Sequence, residues 1–266
     1  GAAVAQKLPP PPQPAGMPSE FKGVSPLWNG EVVPLLPYRI RGVAWYQGEN
    51  NAYVKVADTY KDLLPAMIKD WRNAFGQPDL PFLIFQIARN RKWQTDPNEQ
   101  SGIAELQEAQ CKTALATPRS ALIVTTDMGG PDVHYTGKEP IGDRAARAAL
   151  AMVYGHQIPW ASPVFKKAEF HDGKAVVYFD NAGGGLESRG GSLKGFVIAG
   201  NDGKFVFADA AIEGDKIVVS SPQVPQPAAV RYGWADLPDV NLFNAEGFPA
   251  SPFRSDDGNL SPDKSR

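Results

Sequence analysis

A parallel α/β sheet carrying a β-rich extension is the fold class this sequence predicts, and three observations predict it. Between about residues 38 and 155, apolar strand-like runs alternate three times with segments whose apolar residues recur at helical spacing. The run Pro81-Phe82-Leu83-Ile84-Phe85-Gln86-Ile87-Ala88 is apolar on both faces, as a parallel strand buried beneath helices must be. After Pro159 the helical period disappears, and short β-prone runs follow one another between Gly, Asp and Asn turns.

Taken in order, Arg39 to Tyr46 reads as the first strand. Tyr60, Leu63, Leu64, Met67, Ile68, Trp71 and Phe75 then share one helical face, with Pro65 expected to kink that helix or to sit in its first turn. Pro81 to Ala88 is the second strand and Ile103 to Leu115 the second helix. Ala121 to Thr126 is the third strand, and Pro140 to Tyr154 a third helix with proline suited to its first turn and Gly155 as its stop. Strands at 175–179, 195–198, 204–207, 216–219 and 228–234 follow, as a small sandwich or as an extension packed on the sheet. The expected organisation is a proline-rich tail or linker over 1–20, an α/β domain over 21–158, a β-rich region over 159–256 and a flexible tail over 257–266. The chain after Phe253 is polar and expected to fray. Pro9 to Pro12 make the first segment extended and semi-rigid.

Composition narrows the function classes. A net charge of −2 over 266 residues offers no electrostatic footprint for nucleic acid or an anionic membrane surface. No apolar run approaches the length of a membrane span. The single cysteine, Cys111, excludes an internal disulfide, and three histidines leave few candidates for histidine chemistry. Ala3-Val4-Ala5 resembles the small-residue end of a signal peptide, which points to a secreted or periplasmic protein.

In open α/β sheets, ligands bind beyond the carboxyl ends of the parallel strands. The first strand ends at Gln47-Gly48-Glu49-Asn50-Asn51, the second at Arg89-Asn90-Arg91, the third at Asp127 with Asp132 and His134 in its loop. One sheet edge therefore receives amides, an arginine and an acid–histidine pair. A histidine beside a carboxylate suits a general base whose tautomer is held, and neutral amides suit an oxyanion hole. On spacing alone, a turn-capping Asp132 and a surface His134 are equally open. Arg89 is expected to meet an acidic sugar or to form a surface salt bridge, Trp45 to be core, and His156 and His171 to be structural.

Gly42-Val43-Ala44-Trp45-Tyr46-Gln47-Gly48-Glu49-Asn50-Asn51 resembles the W-Y-Q-G-E-S-N block of the sialate O-acetylesterase family, serine esterases of the SGNH hydrolase superfamily. The resemblance continues through Leu27-Trp28-Asn29, Asp70-Trp71-Arg72 and Leu80-Pro81-Phe82. Thr125-Thr126-Asp127 with Asp132-Val133-His134 and Lys138 is similar to the family's T-T-D…D-I-H-P-x-x-K block. Val230 to Trp234, Asn241 to Asn244 and Pro252 to Asp256 are similar to its C-terminal signatures. The resemblance implies a flavodoxin-like sheet with helices on both faces, incomplete at its N-terminal strand. It implies His134 as base and Asp132 as its partner, with Asp127 the runner-up acid. Gln47 and the Gly48 N–H become oxyanion donors, and Glu49 and Asn51 brace them. The implied substrate is an acetylated carbohydrate, with no metal or cofactor. Two residues depart from the pattern: Asn50 stands for the usual serine, and Tyr135 for the proline after the histidine.

The family's nucleophile is a serine in a G-Q-S-N-M-like block at the end of an earlier strand. None of the thirteen serines of this sequence stands in such a block. The expectation is a carbohydrate O-acetylesterase, close to a sialate 9-O-acetylesterase, whose serine comes from a missing or separate N-terminal segment. The alternative is a catalytically inactive carbohydrate-binding relative. A large apolar sheet edge should then lie exposed where the absent strand would pair.

Overall fold

The computed structural model describes residues 25–54, 56–132 and 134–256. The proline-rich segment, the Ala3-Val4-Ala5 stretch and the 257–266 tail lie outside the described residues. The chain forms a three-stranded parallel sheet in the order β1-β2-β3, with β1 Val43–Trp45, β2 Phe82–Phe85 and β3 Ser120–Ile123. All three strands are shorter than their apolar runs, because Gln86, Ile87 and Val124 to Thr126 leave the ladder while staying buried. The connecting helices are α1 Tyr60–Ala74 and α2 Gly102–Ala116, and α3 Glu139–Met152 follows β3. Pro65 lies inside α1, past the first turn, where the missing N–H removes one bond of the ladder without ending the helix.

The period of two along β2 sorts the layers. Phe82 and Ile84 share a core with Leu64 and Ile68 of α1 and Ile103 and Leu106 of α2. Leu83 and Phe85 turn to the other face, where Ile123 of β3 meets Ile141 and Ala148 of α3. Helices therefore cover both faces, and β2 is buried on both, which is why its sequence shows no alternation. β1 is different: Ala44 is exposed, and among the described residues no strand pairs with its outer edge.

The rest of the chain is antiparallel. Sheet β4-β5-β10-β9 combines Val164–His171, Lys174–Asp180, Lys216–Ser220 and Asp209–Glu213. A second sheet, β13-β11-β7-β8, combines Phe253–Arg254, Ala229–Tyr232, Phe196–Ala199 and Val206–Phe207. Val177 and Val219 of one sheet pack with Ile198, Val230, Tyr232 and Phe253 of the other, so the arrangement is a sandwich. A two-stranded pair, β6 Leu186–Ser188 with β12 Leu242–Asn244, lies beside it.

Two expectations need correction. β4 is missing from the sequence reading, because its charged Lys166, Lys167 and Glu169 and its exposed His171 dilute the β signal, and His171 ends this strand instead of sitting in a turn. Residues 254–256 do not fray: β13 pairs with β11, Arg254 bonds Glu108 of α2 at 2.7 Å, and Asp256 is buried against Arg231. The sandwich is bonded to the sheet layer. Gln86 donates to Ser251 (2.9 Å), Thr126 to the Ala250 carbonyl (2.8 Å), and Asn98 exchanges two bonds with the Phe205 backbone.

Candidate active site

The carboxyl ends of β1 and β2 are tied together by buried amides. Trp45 packs on the α1 core, and its indole N–H donates to the Tyr60 hydroxyl (3.1 Å). That hydroxyl in turn donates to Gln47 Oε1 (2.8 Å), while Gln47 Nε2 donates to Asn51 Oδ1 (3.0 Å). The Gln47 side chain is thus held at both ends, and Asn51 braces it as expected. From α2, Gln110 Nε2 donates to the Gln47 carbonyl (3.1 Å) while its Oε1 accepts from the Ile87 N–H (3.0 Å). Burial, reinforced by the Glu49 carboxylate, pushes the Tyr60 phenol above its ordinary range, so at neutral pH it serves this network as a neutral donor and acceptor.

Gly48 follows with φ +151°, a conformation side-chain-bearing residues avoid, and a Cβ there would lie 2.4 Å from Leu106 Cδ2. The close approach lets the chain turn directly from β1 into the short helical turn Glu49–Asn51. Tyr46 points to the opposite face, stacked on Phe85 with the Lys138 ammonium over its ring.

After β2, the two arginines diverge. The Arg89 guanidinium turns inward to the Pro238 carbonyl (2.6 Å) and the Trp93 ring, and burial lowers its pKa. Among the described residues it forms no ion pair, which corrects the surface salt-bridge reading of it. Arg91, at φ +76°, instead bridges the Ala52 carbonyl (2.7 Å) and Asp236 of the sandwich (3.1 Å) beneath the Tyr53 ring.

After β3, Asp127 is clamped by Arg144 of α3 through two bonds of 2.8 and 2.6 Å, and the same guanidinium also caps the Val124 carbonyl. Its carboxylate is committed to holding α3 on the strand end. Gly129 bridges to Arg89 across the sheet edge. Beyond it, Asp132 Oδ1 accepts the His134 backbone N–H (2.8 Å), a turn-closing bond, and lies 3.7 Å from His134 Nδ1. Both side chains are open to solvent, 78% and 91% exposed. The acid and histidine are adjacent at the expected edge, but no side-chain hydrogen bond joins them.

Between these loops lies an open cleft of about 680 Å³. Glu49 and Asp132 of the expected set line it, together with Asn50, Tyr53, Asn90, Arg91 and Pro131. Gln47, half-buried, and His134, exposed, are not among the residues that line it. The sequence reading missed Tyr60, Gln110, Arg144 and Asp236. Gln107 and Gln110 carried a signal, since two amides one turn apart on an otherwise apolar helix face must find buried partners. Among the described residues, no group of His, Cys, Asp and Glu side chains could hold a metal ion.

Known proteins resemble this chain in sequence and in fold. Residues 31–151 match the family model of the carbohydrate esterases described as sialic acid-specific acetylesterase. This α/β part of the chain is similar to the sialic acid-specific acetylesterases. Sialate O-acetylesterases from Mus musculus and Homo sapiens are 29% and 28% identical over 54% and 58% of the chain, and the matches span 29% and 32% of those proteins. A crystal structure of a carbohydrate acetylesterase from Xanthomonas citri is similar with a TM-score of 0.80 and 45% identity, over 84% of this chain and 52% of that one. The chain thus spans about half of that structure and about a third of the mammalian relatives. The likeness to the Xanthomonas structure reaches past the family match and into the sandwich, whose loop at Asp236 touches the cleft.

Proposed function

We propose that the protein is a carbohydrate O-acetylesterase working by Ser-His-Asp chemistry on an SGNH-type sheet, with the serine contributed by a segment outside this sequence. The observation that carries the reading is the meeting, at one carboxyl edge, of a rigid Gln47–Gly48 turn and the Asp132–His134 loop within a family of acetylesterases. The outer edge of β1, which no strand among the described residues pairs, supports it, because a parallel strand added there would end beside Gln47.

In the proposed reaction, the serine Oγ bonds to the acetyl carbonyl carbon while His134 takes its proton. The oxyanion meets the Gly48 N–H and the Gln47 amide, whose second Nε2 hydrogen is not used by Asn51. The carbon–oxygen bond to the sugar breaks, and His134 returns the proton to the leaving oxygen. Water activated by His134 then releases acetate and restores the serine. Asp132 orients the imidazolium, closing from 3.7 Å to hydrogen-bond distance when the serine-bearing segment and substrate complete the cleft. Asp127, held by Arg144, supports the strand end instead.

Hydrolysis of 4-nitrophenyl acetate tests this reading, with intact-mass analysis of the native sample to find a second polypeptide. Turnover should vanish in His134→Ala and fall about 10²-fold in Gln47→Ala. A sample that holds only this chain, and turns over no faster than buffer, would favour the inactive carbohydrate-binding relative.

A further inference from the structure

Among the described residues that line the cleft, Arg91 is the one cationic side chain, and it is not free. Arg91 stands between two parts of the molecule, donating to Ala52 after β1 and to Asp236 in the loop after β11. Asp236 is itself fixed on every side. Its second oxygen accepts from Ser101 (2.6 Å), the residue that N-caps α2. Its carbonyl accepts from the Asn90 N–H (3.0 Å), and its own N–H donates to Glu99. The neighbouring Arg89 bonds the Pro238 carbonyl of the same loop. The sandwich therefore grips the end of β2 at successive points and holds the Arg91 side chain, 36% exposed, on the cleft wall.

The charges around it decide what it can receive. Glu49 and Asp132 line the same cleft, and Asp236 already neutralises Arg91. The lining has an excess of negative charge, so a ligand carboxylate would be repelled on entry. The Arg91 guanidinium has five N–H groups, and two are engaged by Ala52 and Asp236. The remaining donors, the Asn50 and Asn90 amides, and the two carboxylates as acceptors form a set suited to neutral hydroxyls.

We infer that Asp236 is a positioning residue contributed by the sandwich, that Arg91 is the sugar-binding residue it positions, and that the cleft selects neutral over acidic acetylated sugars. This rests on the carbohydrate reading above but not on turnover, so its test is binding to the full chain. Two probes are titrated by ligand-observed NMR: singly acetylated methyl glucoside, as the mixture of positional isomers, and the matching methyl glucuronoside, which differs by one carboxylate. The neutral sugar should bind about tenfold more tightly at low salt, from two unscreened like charges at roughly 6 Å in water-like surroundings. The gap should narrow in about 0.5 M salt. Arg91→Gln should weaken the neutral sugar at least tenfold. Asp236→Asn should weaken it several-fold, and Asp236→Glu should recover part of that loss, at thermal stabilities that show the variants folded. Equal or tighter binding of the glucuronoside refutes the selectivity. Undiminished binding in Arg91→Gln or Asp236→Asn refutes the residue roles, and no binding of either sugar by the wild type refutes the inference altogether. Loss of esterase activity with these binding results intact would count against the catalytic reading alone.

Discussion

Replacing Gly48 with alanine tests the foundation of the site. Gly48 sits at φ +151° and ψ −13°, where a Cβ is strained whatever the space around it. Such a backbone state costs about 1–3 kcal/mol for a residue with a side chain. The space is also taken: the new methyl would lie 2.4 Å from Leu106 Cδ2 and 3.0 Å from Ile87 Cγ2. Both neighbours are fully buried, so neither can swing into solvent, and forced repacking of a filled core adds about 1–3 kcal/mol. Together these predict a loss of about 2–6 kcal/mol. For a chain of this size, each kcal/mol lowers Tm by about 2–4 °C, so differential scanning calorimetry should show a fall of at least about 4 °C. Gly142→Ala is the matched control. Gly142 lies inside α3 with nothing within 4 Å of its would-be Cβ, so alanine there should stabilise by about 0.5–1 kcal/mol. A Gly48→Ala protein whose Tm stays within 2 °C of wild type would show that the turn relaxes freely, and the rigid oxyanion wall would lose its basis.

Two further perturbations separate structure from chemistry. Asp127→Asn strands the largely buried Arg144 guanidinium, 9% exposed, and should cost about 2–4 kcal/mol in urea unfolding, with strong non-additivity in a double-mutant cycle with Arg144→Met. Additive effects would free Asp127 for a role as the catalytic acid. Cys111 offers a pH test: burial raises its thiol from 9.0 to about 11. A raised folded pKa means the unfolded chain ionises first, so the contribution is complete below pH 9 and lost as pH rises through 11. Stability should decline by up to about 2 kcal/mol over that window from this group, and Cys111→Ala should remove that part of the decline. An identical decline in the variant refutes the assignment.

How much of this was legible in the sequence follows from the range of the forces involved. The three βα units were readable because each is a local pattern: Phe82 to Phe85 is apolar on every residue, and Leu64 and Ile68 recur one helical turn apart. The β-rich region was readable as strands, yet β4 was not, since four of its side chains face solvent and its pairing with β5 is a property of two segments. The site divided along the same line. Residues whose part depends on their own strand end, such as Gln47, Glu49 and Asp132, could be placed at one edge from the topology of parallel sheets. Residues whose part depends on a distant partner could not. Nothing near Arg89 and Arg91 says which one turns inward, because Pro238 and Asp236 decide it from more than 140 positions away. Asp127 likewise looks like a strand-end acid until Arg144 reaches it from α3. The sandwich is the general case. Read alone it is a separate β unit, but one of its carboxylates is spent on the cleft wall, so the pocket belongs to both parts of the chain at once.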